Sequence, residues 1–132
     1  MSQTPPRIGT IGWTDLTVPD AVAVSDFYGK IAGWTAQPLS MGDYDDYVMK
    51  TADGDTVGGI CHKRNQNSAQ PSVWMMYITV ADLDTSLAAC TANGGRIAVE
   101  PRSAGGTARY AVIEDPAGAA VALFDAGVRD GA

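Results

Sequence analysis

The sequence predicts an α+β fold of two βαβββ modules. Three observations carry this expectation. Short runs of β-branched and aromatic residues alternate with helical stretches in the order βαβββ, twice over. The punctuation of the first half returns 62 positions later, as Val18 and Val80, Asp20 and Asp82, Gly33 and Gly95. Each half alone holds too few strands to bury both its faces, so the halves need each other or those of a partner chain.

Residues 11–18, Ile-Gly-Trp-Thr-Asp-Leu-Thr-Val, read as the first strand. Asp20 is suited to cap a helix that presents Val24, Phe27, Tyr28 and Ile31 on one apolar face, and Gly33 is placed to end it. Strands are expected at 34–38, 44–50 and 56–62, the last two joined by the Asp53-Gly54 turn. The polar run 63–72 reads as a linker. The second module opens with a strand at 73–80. A helix follows from Asp82 to about residue 93, with Leu83, Leu87 and Cys90 on one face and Gly94-Gly95 as its stop. Strands at 96–99, 109–114 and 119–124 complete it, with a loop at 101–106, a turn at Asp115-Pro116-Ala117-Gly118 and a frayed tail from Gly127. The chain is thus expected to be one domain over 1–132, with module 1 at about 8–62, the linker at 63–72 and module 2 at about 73–125.

Composition narrows the function. Apolar residues make up 45% of the chain and charged residues 18%, as in an ordinary globular protein. The net charge of −6 comes with scattered basic residues, which argues against nucleic acid. No apolar run is long enough to span a bilayer, and residues 1–7 have no signal-like apolar segment. Cys61 and Cys90 make neither a disulfide framework nor a cysteine-rich zinc site, so a reduced cytoplasmic protein is expected.

The spacing Asp20, Phe27-Tyr28, Gly33-Trp34 resembles the first helix of the glyoxalase/bleomycin resistance protein/extradiol dioxygenase group, the vicinal oxygen chelate superfamily. Val80-Ala-Asp-Leu-Asp with Asn93-Gly-Gly is similar to its second helix, and Glu114-Asp-Pro-Ala-Gly-Ala to the turn before its last strand. The resemblance covers about residues 8–125. It implies a curved, partly closed mixed sheet formed by the two βαβββ modules around a concave pocket that holds the site, pairing of modules that often crosses between chains and hence a homodimer, and in the enzymes a divalent metal held by His and Glu. The positions that match those ligands are Trp13, Gly59, with an uncertainty of one residue, Met75 and Ala122. None offers imidazole, carboxylate or thiolate, so no metal and no cofactor are expected. The sole histidine, His62, lies an odd number of residues from Gly59 and should face the other way.

Strand alternation puts Trp13 and Asp15 on one face with Gly59 and Cys61, and Met75 and Tyr77 with Ala122. Tyr47, Met49 and Arg109 sit on strands that could close the cup. These ten residues form the expected ligand pocket, an apolar and aromatic cavity with few polar groups. Trp13 suits stacking on a planar or cationic ligand, and Asp15 suits pairing with a cation or acting as a base. The same residues could instead be plain core packing that fills the cup, and Asp15 could be solvated or paired with Arg109. No nucleophile–base pair and no phosphate-cradling loop is present, so no catalytic residue is assigned. The leading expectation is a metal-independent small-molecule-binding protein, one role for which is sequestering a toxic or antibiotic-like compound. The alternatives are a lyase, isomerase or dioxygenase with a divergent metal site, and a structural module with a filled cup.

Overall fold

The structure, a computed structural model, describes residues 7–64 and 68–127. Elements follow in the order β1 (Ile11–Val18), α1 (Ala21–Ala32), β2 (Thr35–Ser40), β3 (Asp45–Lys50), β4 (Thr56–His62), β5 (Trp74–Thr79), α2 (Leu83–Ala92), β6 (Arg96–Ser103), β7 (Arg109–Glu114) and β8 (Ala120–Asp125). This is βαβββ twice, an α+β fold of two modules with mixed sheet. The chain forms two compact units, one from Trp13 to Trp74 and one from residues up to Gly12 together with Met75 onward.

In the first unit β1 runs parallel to β4, with Asp15 opposite Gly59 and Thr17 opposite Cys61. Antiparallel pairing extends the sheet through β3, with Tyr47 opposite Ile60, to β2, with Ala36 opposite Met49. Strand β1 passes close to β4. A methyl on Gly58 would lie 2.5 Å from the Thr14 carbonyl oxygen, so only glycine fits there. One face of this sheet packs on α1. Leu16, Val18, Met49 and Ile60 are buried with Ala21 of the helix, and Val24, Tyr28, Trp34 and Trp74 close around them. Full burial of a side chain such as Met49 or Ile60 contributes about 1.5–3 kcal/mol. The rings of Tyr28 and Trp34 stack at 5.6 Å, and the Trp74 indole N–H donates to the Tyr28 hydroxyl at 3.0 Å.

The helix begins and ends as its sequence indicates. The Asp20 carboxylate accepts from the Ala23 N–H at 3.0 Å, and Gly33 closes the helix in the left-handed conformation that glycine adopts without strain. The buried face differs from the expectation. Ala21, Val24, Ser25 and Tyr28 turn inward, whereas Phe27 and Ile31 are 53% and 63% exposed. The small residues Ala21 and Ser25 let the helix approach the sheet closely, which rotates the larger Phe27 and Ile31 outward.

In the second unit β5 runs parallel to β8, with Tyr77 opposite Ala122. β8 pairs antiparallel with β7, and β7 with β6. Ahead of β1, the Gly9 N–H donates to the Thr79 carbonyl at 2.7 Å and Thr79 donates back to Thr10 at 2.9 Å. Helix α2 buries Leu83 and Leu87 on Ala111 and Leu123, flanked by Ile78, Val80, Ile97 and Ile113. The other face of the sheet buries Met75, Val99, Val112 and Ala122 with Tyr77 and Tyr110.

One expectation about a segment is corrected. Strand β6 continues to Ser103, through the stretch beginning at Pro101 where a loop was expected. It is the outer strand of its unit, where proline leaves no ladder bond unmade, and it carries two register shifts. The segment expected as a linker has no helix or strand among its described residues, and its Gln70 is only 4% exposed and accepts from the Thr17 hydroxyl at 3.4 Å. Residues 65–67 of that segment, and the tail beyond Gly127, lie outside the described residues.

Candidate functional site

Each module has one sheet face covered by its helix and one turned away from it. In the first module the face turned away carries Trp13, Asp15 and Thr17 from β1, Gly59 and Cys61 from β4, and Asp46 and Val48 from β3, by register and alternation. Trp13 and Asp15 touch, the indole N–H donating to the carboxylate at 3.4 Å. A methyl on Gly59 would meet Trp13 Cζ2 at 3.3 Å and Asp15 Cβ at 3.4 Å. The absence of a side chain at Gly59 is what lets the indole lie against this strand.

Tyr47 and Met49 do not join this face. Tyr47 lies opposite Ile60, and both Tyr47 and Met49 belong to the cluster under α1. The expected phase is therefore corrected by one residue, and Asp46 and Val48 take their places. The physical reason is that Met49, fully buried, supplies core under the helix that Phe27 and Ile31 do not.

The polar groups of this face are linked. Asp46 is only 6% exposed, and it accepts the His62 backbone N–H at 2.9 Å. The Cys61 thiol lies beside the same carboxylate. Burial pushes the Cys61 thiol far up from its ordinary range, and the negative charges of Asp15 and Asp46 push in the same direction. Cys61 is thus held protonated, which removes it as a nucleophile.

His62 points to the helix side, as its odd offset from Gly59 requires. Its Nδ1 lies 3.3 Å from the Ala21 N–H and accepts there, in the first turn of α1. Its ring also meets those of Tyr44 and Tyr47.

In the second module the face turned away from α2 carries Met75 and Tyr77 from β5, Ala122 from β8, Tyr110 and Val112 from β7, and Val99 from β6. The rings of Tyr77 and Tyr110 lie 6.0 Å apart, tilted by 54°. Arg109 is not among them. It shares the phase of Ala111 and Ile113, which pack on α2, and its guanidinium pairs with Asp84 of that helix at 3.3 Å. Its place on the opposite face falls to Tyr110, with Arg102 beside it across the β6–β7 ladder. Neither was legible as a site residue, because the two shifts in β6 break the alternation that would locate Arg102.

The positions that correspond to metal ligands do come together within each module, Trp13 against Gly59 and Met75 within the cluster of Ala122. Their chemistry does not fit a divalent metal. An indole, a hydrogen, a thioether 1% exposed among aliphatic groups and a methyl supply no hard donor. Among the described residues no group of three or more His, Cys, Asp or Glu could hold a metal ion. On the helix side of the first module lies an open groove of about 420 Å³ lined by Val22, Ser25, Asp26, Gly29 and Trp34, among others. Asp26 is engaged with Lys30 at 3.0 Å. No helix of the described residues is long and apolar enough to cross a membrane.

Comparison with known proteins agrees with this architecture. The chain is 32% identical to the anthracycline biosynthesis protein DnrV of Streptomyces peucetius over 94% of its length. It is also 32% identical to the putative glyoxylase CFP32 of Mycobacterium tuberculosis over 96%. It spans about half the length of these curated relatives, 50% and 49%. Among solved structures, a Streptomyces coelicolor methylmalonyl-CoA epimerase bound to 2-nitronate-propionyl-CoA superposes with a TM-score of 0.56 at 16% identity, covering 92% of this chain and 100% of that one. A hypothetical protein of Bacillus halodurans superposes at 0.60 with 11% identity, covering 96% and 100%. These two likenesses concern the fold. The sequence model of the Glyoxalase/Bleomycin resistance protein/Dioxygenase superfamily matches residues 10–123, and the chain belongs to that superfamily.

Proposed function

We propose that this chain is a small-molecule-binding protein that works without a metal, and that its ligand is a planar polycyclic aromatic compound of the anthracycline kind, held by sequestration. One observation carries the reading. At the positions where the superfamily's enzymes hold a metal, this chain has an indole lying against a glycine and a thioether packed beside an alanine. A flat ring such as that of Trp13 favours contact with another aromatic ring, each such contact adding about 0.5–1.5 kcal/mol beyond the area buried. Tyr77 and Tyr110 give the second module an aromatic surface of its own. The name of DnrV supports the ligand class. Each module offers a binding face of its own, Trp13, Asp15, Gly59 and Cys61 in the first and Met75, Tyr77 and Ala122 in the second. The protein acts as a homodimer in the cytoplasm, as the frequent pairing of such modules between chains suggests.

The test has two steps. Protein purified without a metal-binding tag is assayed by mass spectrometry for metal per chain after incubation with zinc, nickel, manganese and ferrous iron, followed by dialysis. The expected content is well below one per chain. An anthracycline at about 100-fold its dissociation constant should then stabilise the fold by about 2.7 kcal/mol, a rise of several degrees in Tm, and Trp13→Ala should weaken binding at least tenfold. One retained metal per chain would move the reading to a metal-dependent enzyme.

A further inference from the structure

Arg102 stands out among the arginines of the two modules. Arg64, Arg96 and Arg109 each face a carboxylate, at 3.9, 2.7 and 3.3 Å. Arg102 forms no ion pair among the described residues, and its Nε is shielded from solvent with no hydrogen-bond partner. A buried donor of a charged group left unpaired is costly, and native structures seldom keep one without a reason. The surroundings give the reason. Arg102 lies opposite Tyr110 on the β6–β7 ladder, and directly opposed residues project to the same side. That side carries Tyr77, Met75, Val112 and Ala122. A half-buried guanidinium, its Nε without a hydrogen-bond partner, therefore borders an aromatic surface.

We propose that Arg102 anchors an anionic oxygen of the ligand, so that the second module selects planar aromatic acids or phenolates over their neutral counterparts. The inference deepens the aromatic-binding reading and rests on it. A guanidinium offers a planar fork of donors that matches a carboxylate, and its charge-assisted bonds are about twice as strong as neutral ones. Tyr77 and Tyr110 take the ring, and Arg102 takes the oxygen at its edge. The bulges of β6 create the arrangement, because they bring Arg102 into phase with Tyr110.

The test uses two probes of one shape, anthraquinone-2-carboxylate and anthraquinone-2-carboxamide, titrated calorimetrically into the wild-type protein, Arg102→Gln and Arg102→Lys. The wild type should bind the carboxylate about tenfold more tightly or better. Arg102→Gln should bind both probes alike, and Arg102→Lys should keep part of the preference. Without ligand, Arg102→Gln should melt no lower than the wild type, since it loses an unpaired charge and no bond. A carboxylate preference that survives in Arg102→Gln, or is absent from the wild type, would overturn the inference while leaving aromatic binding intact. A lower melting temperature with an unchanged preference would assign Arg102 to the scaffold and also overturn it. Failure of both probes to bind the wild type would remove the aromatic reading and the inference together.

Discussion

Cys61 illustrates how a side chain's surroundings decide its chemistry. Read as a residue type, a thiol in a binding protein is a candidate nucleophile. Buried beside Asp15 and Asp46, it is held well above the ordinary thiol range. The consequence for stability has a definite sign. In the unfolded chain the thiol ionises near pH 8.5, whereas in the folded protein it stays neutral. The contribution of this group is complete below that pH and is lost as pH rises above it, at up to about 1.4 kcal/mol per pH unit. Chemical denaturation at pH 8 to 10 should therefore show wild-type stability falling more steeply than that of Cys61→Ala. Parallel profiles would mean that the thiol ionises normally. The two arginines Arg102 and Arg109 make a related point. Both residue types were visible in the sequence, but which one faces α2 depends on the register of β6 on β7, and two bulges set that register.

At the scale of the element, the two helices begin in the same way, and the last residue of a distant strand takes part in each start. His62, at the end of β4, accepts from the first N–H of α1, and Asp125, at the end of β8, accepts from the Leu83 N–H of α2 at 3.0 Å. The repeat spacing placed Asp20 and Asp82 as caps, and both do cap, by bonds to Ala23 and Thr85. It said nothing of His62 or Asp125, because their partners lie 41 and 42 residues away. Asp125 is 1% exposed and also accepts from the Gly127 N–H at 2.8 Å. Its removal leaves a buried donor unmet, which costs about 1–3 kcal/mol, more than the roughly 1 kcal/mol expected for the exposed cap Asp82. Urea denaturation of Asp125→Ala and Asp82→Ala should rank them in that order. Equal losses would mean that water replaces the Asp125 carboxylate at the helix start.

At the scale of the whole molecule, the curated relatives are about twice the length that this chain spans. The proposed homodimer is tested separately from that length. Light scattering on the purified protein should return twice the chain mass at micromolar concentration. A monomer that still binds an aromatic ligand would show that one copy suffices.

The sequence by itself determined the order of elements, the duplication with its constant spacing, and the caps and glycine stops of α1. These depend on residues close together in the chain, where helix and strand periods and turn chemistry act directly. It also determined that four positions lack metal-ligating groups, since residue identity alone decides that. The tertiary structure decided which side of each strand and helix is buried. It turned Tyr47 and Met49 under α1, rotated Phe27 and Ile31 outward, buried Gln70 and exchanged Arg109 for Arg102. A strand reverses every side chain with a shift of one residue. Whether a bulge or a close helix contact introduces that shift depends on partners far away in sequence, and no local period records them.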